Sequence, residues 1–271
     1  MRILVLGDTG MLGHAVSHRL RCAGMEVAAL DRDVFDAGNP DLRIVAATKS
    51  DAVVNAIGII NRRLNPSEAD FLRINSLFPR RLADLCAKLA TPMIHVSTDC
   101  VFKGDAGPYD ELSLPDASDL YGMTKLWGEP DNAMVIRTSI IGPELRNYYS
   151  LMCWFLNQKG QVRGFVNHLW NGVTSYELGG VIATILRQGI WQPGLRHVHG
   201  EDMTKFDLLQ LIQKIYGTPC TVQPCLDKPA RDTRLRTRHP DFLSALAILP
   251  MSEQLARLRT LSDNYGHWSA V

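Results

Sequence analysis

The first fourteen residues, Met1-Arg-Ile-Leu-Val-Leu-Gly-Asp-Thr-Gly-Met-Leu-Gly-His14, constrain this chain more than any other stretch. Ile3 to Leu6 is an apolar run rich in strand formers. Gly7, Gly10 and Gly13 follow at once, and a helical pattern begins behind them. A buried strand that turns on glycines into a helix is the opening of a dinucleotide-binding βαβ unit. Gly7 permits the tight turn. Gly10 leaves room for a pyrophosphate, because a Cβ there would occupy its space. Gly13 lets the helix lie close to the strand. Free amides at the helix start, together with the helix dipole, then hold the phosphate charge. The spacing is G-x-x-G-x-x-G, not the G-x-G-x-x-G of ordinary dehydrogenases.

A chain of 271 residues suits one large α/β domain, or one domain carrying a smaller lobe. Basic and acidic residues nearly cancel, 29 against 28, so no global field argues for nucleic acid or a membrane surface. No apolar stretch approaches the roughly 20 residues of a membrane span. The N-terminal apolar run is too short, and too broken by glycines, for a signal-peptide core. Six cysteines, Cys22, Cys86, Cys100, Cys153, Cys220 and Cys225, include no CxxC pair. That pattern suits reduced thiols in a cytoplasmic protein and argues against a metal site.

Further along, residues 14 to 23 read as the first helix, ended by Gly24, and Glu26 to Leu30 as the second strand. Asp31-Arg32 closes that strand where an acidic residue accepts the adenosine ribose hydroxyls. Arg32 could instead take a 2′-phosphate, so NADP is favoured and NAD stays open. Asp36 could meet adenine or simply cap a turn. Asp51 to Ile57 is a buried strand whose end, Asn55-Ala56, lies where ligands sit in an open parallel sheet. Glu68 to Leu89 reads as a helical region interrupted by Pro79, with Asn75 set to bond a neighbouring loop and position the catalytic strand. Met93 to Phe102 is a further strand ending in Ser97 and Thr98, with His95 a satisfied core histidine. The Lys103 to Asp119 loop is long enough to be functional. Helices are expected at Leu120 to Trp127, Tyr148 to Leu156, Tyr176 to Gln188, Lys205 to Tyr216 and near 252 to 261. Strands are expected at Met134 to Ile136 and Leu195 to Val198, with 160 to 175 irregular. The βα alternation stops near residue 143. The expected architecture is α/β: a Rossmann-type doubly wound parallel sheet over residues 1–143, rejoined by about 168–195, with a smaller C-terminal α/β substrate lobe over 144–271.

Tyr121 and Lys125 are four apart, which places both on one face of a helix. They follow the Ser97-Thr98 strand end and lie downstream of the glycine turn. Glycine turn, hydroxyl pair and Y-x-x-x-K in this order resemble the extended short-chain dehydrogenase/reductase superfamily, and most closely the dTDP-4-dehydrorhamnose reductase family. Gly7-Asp-Thr-Gly-Met-Leu-Gly13 is similar to that family's opening. Ser97-Thr-Asp-Cys-Val-Phe102 is similar to its S-T-D-Y-V-F, Tyr121-Gly-Met-Thr-Lys-Leu-Trp-Gly-Glu129 to its Y-G-K-T-K-L-x-G-E, and Arg137-Thr-Ser139 to its R-T-S. The likeness covers residues 1 to 142 and is loose beyond, where Arg234-Leu235 resembles a C-terminal S-R-L.

The resemblance implies an NAD(P)H-dependent reductase of a nucleotide-linked 4-keto-6-deoxy sugar, serving cell-surface polysaccharide precursor synthesis. Tyr121 would be the general acid for the developing alkoxide. Work near neutrality asks for phenolate stabilisation of roughly 4 kcal/mol, expected from Lys125 and the positive nicotinamide. Thr98 would orient the carbonyl oxygen, supported by Ser97. Lys125 would also hold the nicotinamide ribose. Gly7, Thr9, Gly10, Met11, Leu12, Gly13, Asp31, Arg32, Asn55 and Ala56 would complete the cofactor site. Ser97, Asp99, Cys100, Trp170 and Arg234 would meet the substrate. The Arg231 to Arg238 stretch could pair a nucleotide diphosphate or be a solvated basic face. The expected partners are a nucleotide-sugar substrate and, as an assembly, a second copy of the chain.

This sequence departs from the family at Cys100, where a Tyr is usual, at Ile140, where a Trp is usual, and at Asn167 to Thr174 in place of D-Q-x-G-x-P-T. A second resemblance is to GDP-fucose synthase, an epimerase-reductase with a Cys near Cys100 and a His where Glu144 stands. A small buried hydrophobe is the favoured role for Cys100. A dehydratase is disfavoured, since Cys100 replaces the Glu of Thr-Asp-Glu. From another class, the methionine adenosyltransferase regulatory subunit resembles the same family, as a non-catalytic NADP-binding protein.

Overall fold

A computed structural model describes residues 1–30, 34–60, 66–145 and 149–265, the last four by backbone alone. Six parallel strands form the main sheet. They are β1 (Arg2–Leu6), β2 (Glu26–Leu30), β3 (Ala52–Asn55), β4 (Met93–Val96), β5 (Met134–Arg137) and, after the shorter β6 (Ile140–Ile141), β7 (Gln161–Phe165), β8 (His168–Trp170) and β9 (Val173–Thr174), β10 (Gly194–His197). The order across the sheet is β10-β5-β4-β3-β1-β2, every pairing parallel. Ile3 to Leu6 are fully buried, as strands covered on both faces must be. The chain runs from β1 to β2, then returns across β1 to β3. This reversal is the topological switch point, and it places a crevice at the carboxyl ends of β1 and β3.

Helices cover both faces. In chain order they are α1 (Met11–Cys22), α2 (Leu42–Ala47), α3 (Glu68–Phe71), α4 (Phe78–Lys88), α5 (Leu120–Trp127), α6 (Leu151–Leu156), α7 (Ser175–Gln188), α8 (Lys205–Tyr216), α9 (Pro240–Ala245) and α10 (Met251–Tyr265). On one face α1 and α7 pack side by side over Ile3, Val5, Val54, Ile94 and Ile136. Gly179 allows this approach, because a Cβ there would lie 2.9 Å from the Ala15 carbonyl. On the other face Phe78, Leu82 and Val45 from α4 and α2 cover Leu4, Leu6 and Val53. A second core gathers Met152, Phe155, Trp170, Leu208, Ile212 and Leu255 from α6, β8, α8 and α10.

Several expectations change. Residues 161–174 are not irregular but hold β7, β8 and β9. Their partners are distant: β7 pairs with β12 (Thr221–Cys225), β8 with β11 (Met203–Thr204) and β13 (Arg231–Asp232), and β9 with β6. Pro79 does not end the helical region, which runs on as α3, a π-helical turn, Leu72–Leu77, and α4, with Pro79 the second residue of α4 directly behind the π turn. The strand at Met93 stops at Val96, since Thr98 caps a 3₁₀ turn, Asp99–Val101, by accepting from the Cys100 amide. The helix expected from Tyr148 begins at Leu151 because the Ser150 side chain caps it. Tyr148 itself lies outside the described residues.

Candidate active site

The glycine turn leaves β1 with Gly7 at φ +87°, a conformation side chains resist, and a Cβ there would press on Ala56 and Ile57 at 3.0–3.1 Å. A Cβ at Gly13 would sit 2.1 Å from the Gly7 carbonyl, so only glycine lets α1 start this close to its strand. Gly10 occupies the N-cap position without a side chain to cap the helix, and the first turn holds no acidic residue. The leading amides of this 12-residue helix are therefore set for an anion, a fit for a dinucleotide diphosphate. Thr9 is exposed, Met11 and Ala56 are half-buried, and the Leu12 side chain belongs to the core, leaving its backbone for a ligand. Asp31 and Arg32 lie outside the described residues. Asn55 is buried at the end of β3. Its side chain donates to His95 Nδ1 at 3.0 Å and accepts from the Ile57 amide at 3.1 Å, so it shapes the end of β3. His95 is only partly satisfied, since its buried Nε2 has no partner among the described residues. Asp36 caps a turn by accepting from the Gly38 amide at 2.8 Å.

Tyr121 and Lys125 stand one turn apart on α5, which Asp119 caps by accepting from the Gly122 amide at 3.0 Å. Gly122 makes the site possible: a Cβ there would lie 2.3 Å from the Cys100 carbonyl and 2.7 Å from Ala117 Cβ. The helix thus rests directly on the 3₁₀ turn, and the Tyr121 phenol reaches a hydrogen bond with Thr98. Burial, Cys100 and Asp99 push the phenol above its ordinary value, with Thr98 opposing. The protein alone therefore does not produce the expected lowering. It keeps Tyr121 protonated, the state a proton donor needs. The Lys125 ammonium donates to the Val96 carbonyl at 2.8 Å. Burial brings it down to about 8, with Glu129 opposing.

The π-helical turn braces this helix from behind. Asn75 accepts from the Ile59 amide at 2.9 Å and donates to the Ile59 carbonyl at 3.0 Å and to Thr124 Oγ1 at 3.3 Å. Ser76 donates to the Thr124 carbonyl at 2.7 Å. Asn75 does bond a neighbouring loop, but the element it positions is α5 rather than the Thr98 strand.

On the substrate side the expected residues separate. Ser97 is buried and donates to Glu129 Oε1 at 2.6 Å, while Glu129 takes both arms of the Arg137 guanidinium at 2.8 and 2.6 Å. Ser97 thus locks the end of β4 rather than facing a ligand. Cys100 is exposed, not a buried hydrophobe. Although solvent reaches it, the surrounding protein and the Asp99 carboxylate push its thiol up to about 12, so it remains protonated. Glu144 is buried and accepts from the amides of Tyr149 and Ser150, closing the loop before α6. Arg234 is held by Asp232 and Asp202, Arg236 by Asp202 and Arg238 by Asp110. These pairings neutralise most of the basic stretch, for which the sequence leaves a diphosphate contact and a solvated face both open.

Asp99 and Trp170 remain at the cleft. Asp99 is buried, its carboxyl raised by burial and drawn back by Lys205, Ser139, Thr98 and Cys100. Trp170 lines a cavity of about 160 Å³ with Met11, Ser139, Gly142, Lys205 and Leu208. Lys205 was not foreseen. Its one signal in the sequence is a cation directly behind the N-cap of a Thr204-x-x-Asp207 capping box, where the helix dipole disfavours it. Among the described residues no cluster of His, Cys, Asp and Glu could hold a metal ion, and no helix is long and apolar enough to cross a membrane.

Comparison with known proteins places this geometry. The family model described as the RmlD substrate binding domain matches residues 1–241. The dTDP-4-dehydrorhamnose reductase of Mycolicibacterium smegmatis is 26% identical over 238 residues, 83% of this chain and 72% of that protein. The methionine adenosyltransferase 2 subunit beta of Xenopus tropicalis is 24% identical over 258 residues, 86% of this chain and 77% of that protein. A crystal structure of dTDP-4-dehydrorhamnose reductase from Bacillus anthracis in complex with NADP shares the fold. Its TM-score is 0.78 at 19% identity, over 96% of this chain and 99% of that one.

Proposed function

The chain belongs to the RmlD substrate binding domain family, and from that premise we propose that it is an NADPH-dependent reductase of a nucleotide-linked 4-keto-6-deoxy sugar, of the dTDP-4-dehydrorhamnose reductase kind. The observation that carries this reading is the protonated Tyr121 phenol, hydrogen-bonded to Thr98 with Lys125 one turn behind it, at the sheet edge that also bears the glycine turn. The uncapped start of α1, with the closeness that Gly7 and Gly13 allow, would hold the cofactor diphosphate. The bound cofactor supplies the hydride for the ketone carbon.

The protein's own part is to orient and protonate. Thr98 positions the carbonyl oxygen within reach of Tyr121. As that oxygen gains charge, Tyr121 gives up its proton to it. An alkoxide is a far stronger base than a phenolate, so a raised phenol does not oppose the transfer. Lys125 charge then stabilises the phenolate left behind. Thr98, Tyr121 and Lys125 are the proposed catalytic residues.

The test is NADPH oxidation with a panel of dTDP-, GDP- and UDP-linked 4-keto-6-deoxy sugars, beside Tyr121→Phe. Turnover on one sugar, lost in the variant by a factor of 10² or more, supports the reading; no turnover on any refutes it. The likeness to methionine adenosyltransferase 2 subunit beta favours one second reading, a non-catalytic NADP-binding subunit. In that case NADPH binds but no sugar consumes it. The epimerase-reductase reading loses ground because Cys100 stays protonated and Glu144 is turned to backbone amides.

A further inference from the structure

Lys205 is held at the cleft as a cation that no hydrogen bond or ion pair among the described residues satisfies. It is the first residue of α8, a 12-residue helix, where the positive end of the dipole repels a cation. Its N-cap, Thr204, and Asp207 already satisfy each other in a capping box, at 2.7 Å between hydroxyl and carboxylate, so Lys205 contributes nothing to capping. Its ammonium lies 4.5 Å from the centre of the Trp170 ring, which fixes the side chain across the wall of the 160 Å³ cavity. The Asp99 carboxylate acts on its charge through space, and no described residue gives it a hydrogen bond or ion pair. A cation placed this way is answered by an anion brought from outside.

Two anions could reach this cavity: a diphosphate of the cofactor or one of the substrate. The cofactor's already has the start of α1. Lys205 faces the Asp99-Cys100 turn that carries Thr98, the side on which the sugar ketone is placed. In the basic stretch 231–238, Arg234, Arg236 and Arg238 are already paired to Asp232, Asp202 and Asp110. Building on the nucleotide-sugar reading, we propose that Lys205 is the residue that binds the diphosphate of the substrate, a specificity contact supplied by the second core to a site otherwise built on the parallel sheet. An ammonium can take one phosphate oxygen by a charge-assisted hydrogen bond while Trp170 keeps its stem in place.

The experiment measures binding of dTDP, UDP and GDP, each beside its parent nucleoside, to the NADP-loaded protein by calorimetry, for wild type, Lys205→Met, Lys205→Gln and Lys205→Arg. A charge-assisted contact predicts that the preferred diphosphate weakens roughly 10- to 100-fold in the Met and Gln variants, with nucleoside and NADPH affinities unchanged and partial recovery in Arg. The same loss appears in KM rather than kcat. Thermal melting checks folding, and removing a cation from this helix start is expected not to lower the midpoint. An unchanged ratio of diphosphate to nucleoside affinity overturns the proposal, and so does a loss confined to NADPH. If a nucleotide sugar is reduced while the variants keep diphosphate affinity, only this assignment falls. If wild type neither binds a nucleoside diphosphate nor reduces a nucleotide sugar, the functional reading falls with it.

Discussion

Replacing Gly122 by alanine tests whether the catalytic residues are positioned by helix contact. The new Cβ would lie 2.3 Å from the Cys100 carbonyl and 2.7 Å from Ala117 Cβ, against 3.4 Å for ordinary contact. Neither neighbour is a flexible side-chain end, so α5 must retreat from the 3₁₀ turn by about 1 Å. Tyr121 and Lys125 travel with it, whereas Thr98 stays with β4. A misplacement of about 1 Å costs on the order of 10²-fold in rate. Alanine gains about 1 kcal/mol in helix propensity, and overpacking costs about 1–3 kcal/mol, so net stability falls by no more than about 2 kcal/mol. The expected outcome is a folded protein with kcat lowered about 100-fold and NADPH affinity little changed, measured by steady-state NADPH oxidation and fluorescence titration. A Gly122→Ala enzyme within threefold of wild-type kcat would refute the argument that this close approach sets the distance between Tyr121 and Thr98.

Arg137→Met leaves the Glu129 carboxylate buried with Ser97 alone, at side-chain exposures of 5% and 11% for the original pair. A loss of about 3–5 kcal/mol by denaturant titration is expected, and a loss under 1 kcal/mol would mean that water replaces the guanidinium. Lys125 titrates in the folded protein at about 8, below its ordinary 10.5. Between those values the unfolded chain binds more protons, so this group makes stability rise with pH from about 8 towards 10.5. Activity should fall over the same rise as the ammonium is lost. Because Lys205 is also held at about 8, the assay compares wild type with Lys125→Met, and equal pH slopes of stability for the two would contradict the assignment.

The main sheet was legible because its signals are local. Ile3 to Leu6 followed by Gly7, Gly10 and Gly13 states a strand, a turn and a helix within one window of sequence, and the four-residue spacing of Tyr121 and Lys125 is a helical face wherever the helix lies. The second core was less legible. β7, β8 and β9 pair with β12, β11, β13 and β6, all distant in the chain, and such short strands carry no periodicity of their own. Residue type was also a poor guide to direction. Ser97 and Thr98 are neighbours with the same chemistry, yet one donates to Glu129 and the other meets Tyr121, because successive side chains at a strand end point opposite ways.

By itself, then, the amino-acid order determined the strand, glycine turn and helix of the first βα unit and the helical face that Tyr121 and Lys125 share, since turn and helix depend on neighbours along the chain. Only the tertiary structure decided which charges are already answered within the protein. Arg234 finds Asp202 and Asp232, Glu144 finds two amides, and Lys205 arrives beside Trp170 and Asp99 without a hydrogen-bonding partner among the described residues. Pairing depends on distance in space and on desolvation, and neither quantity exists until distant segments have packed.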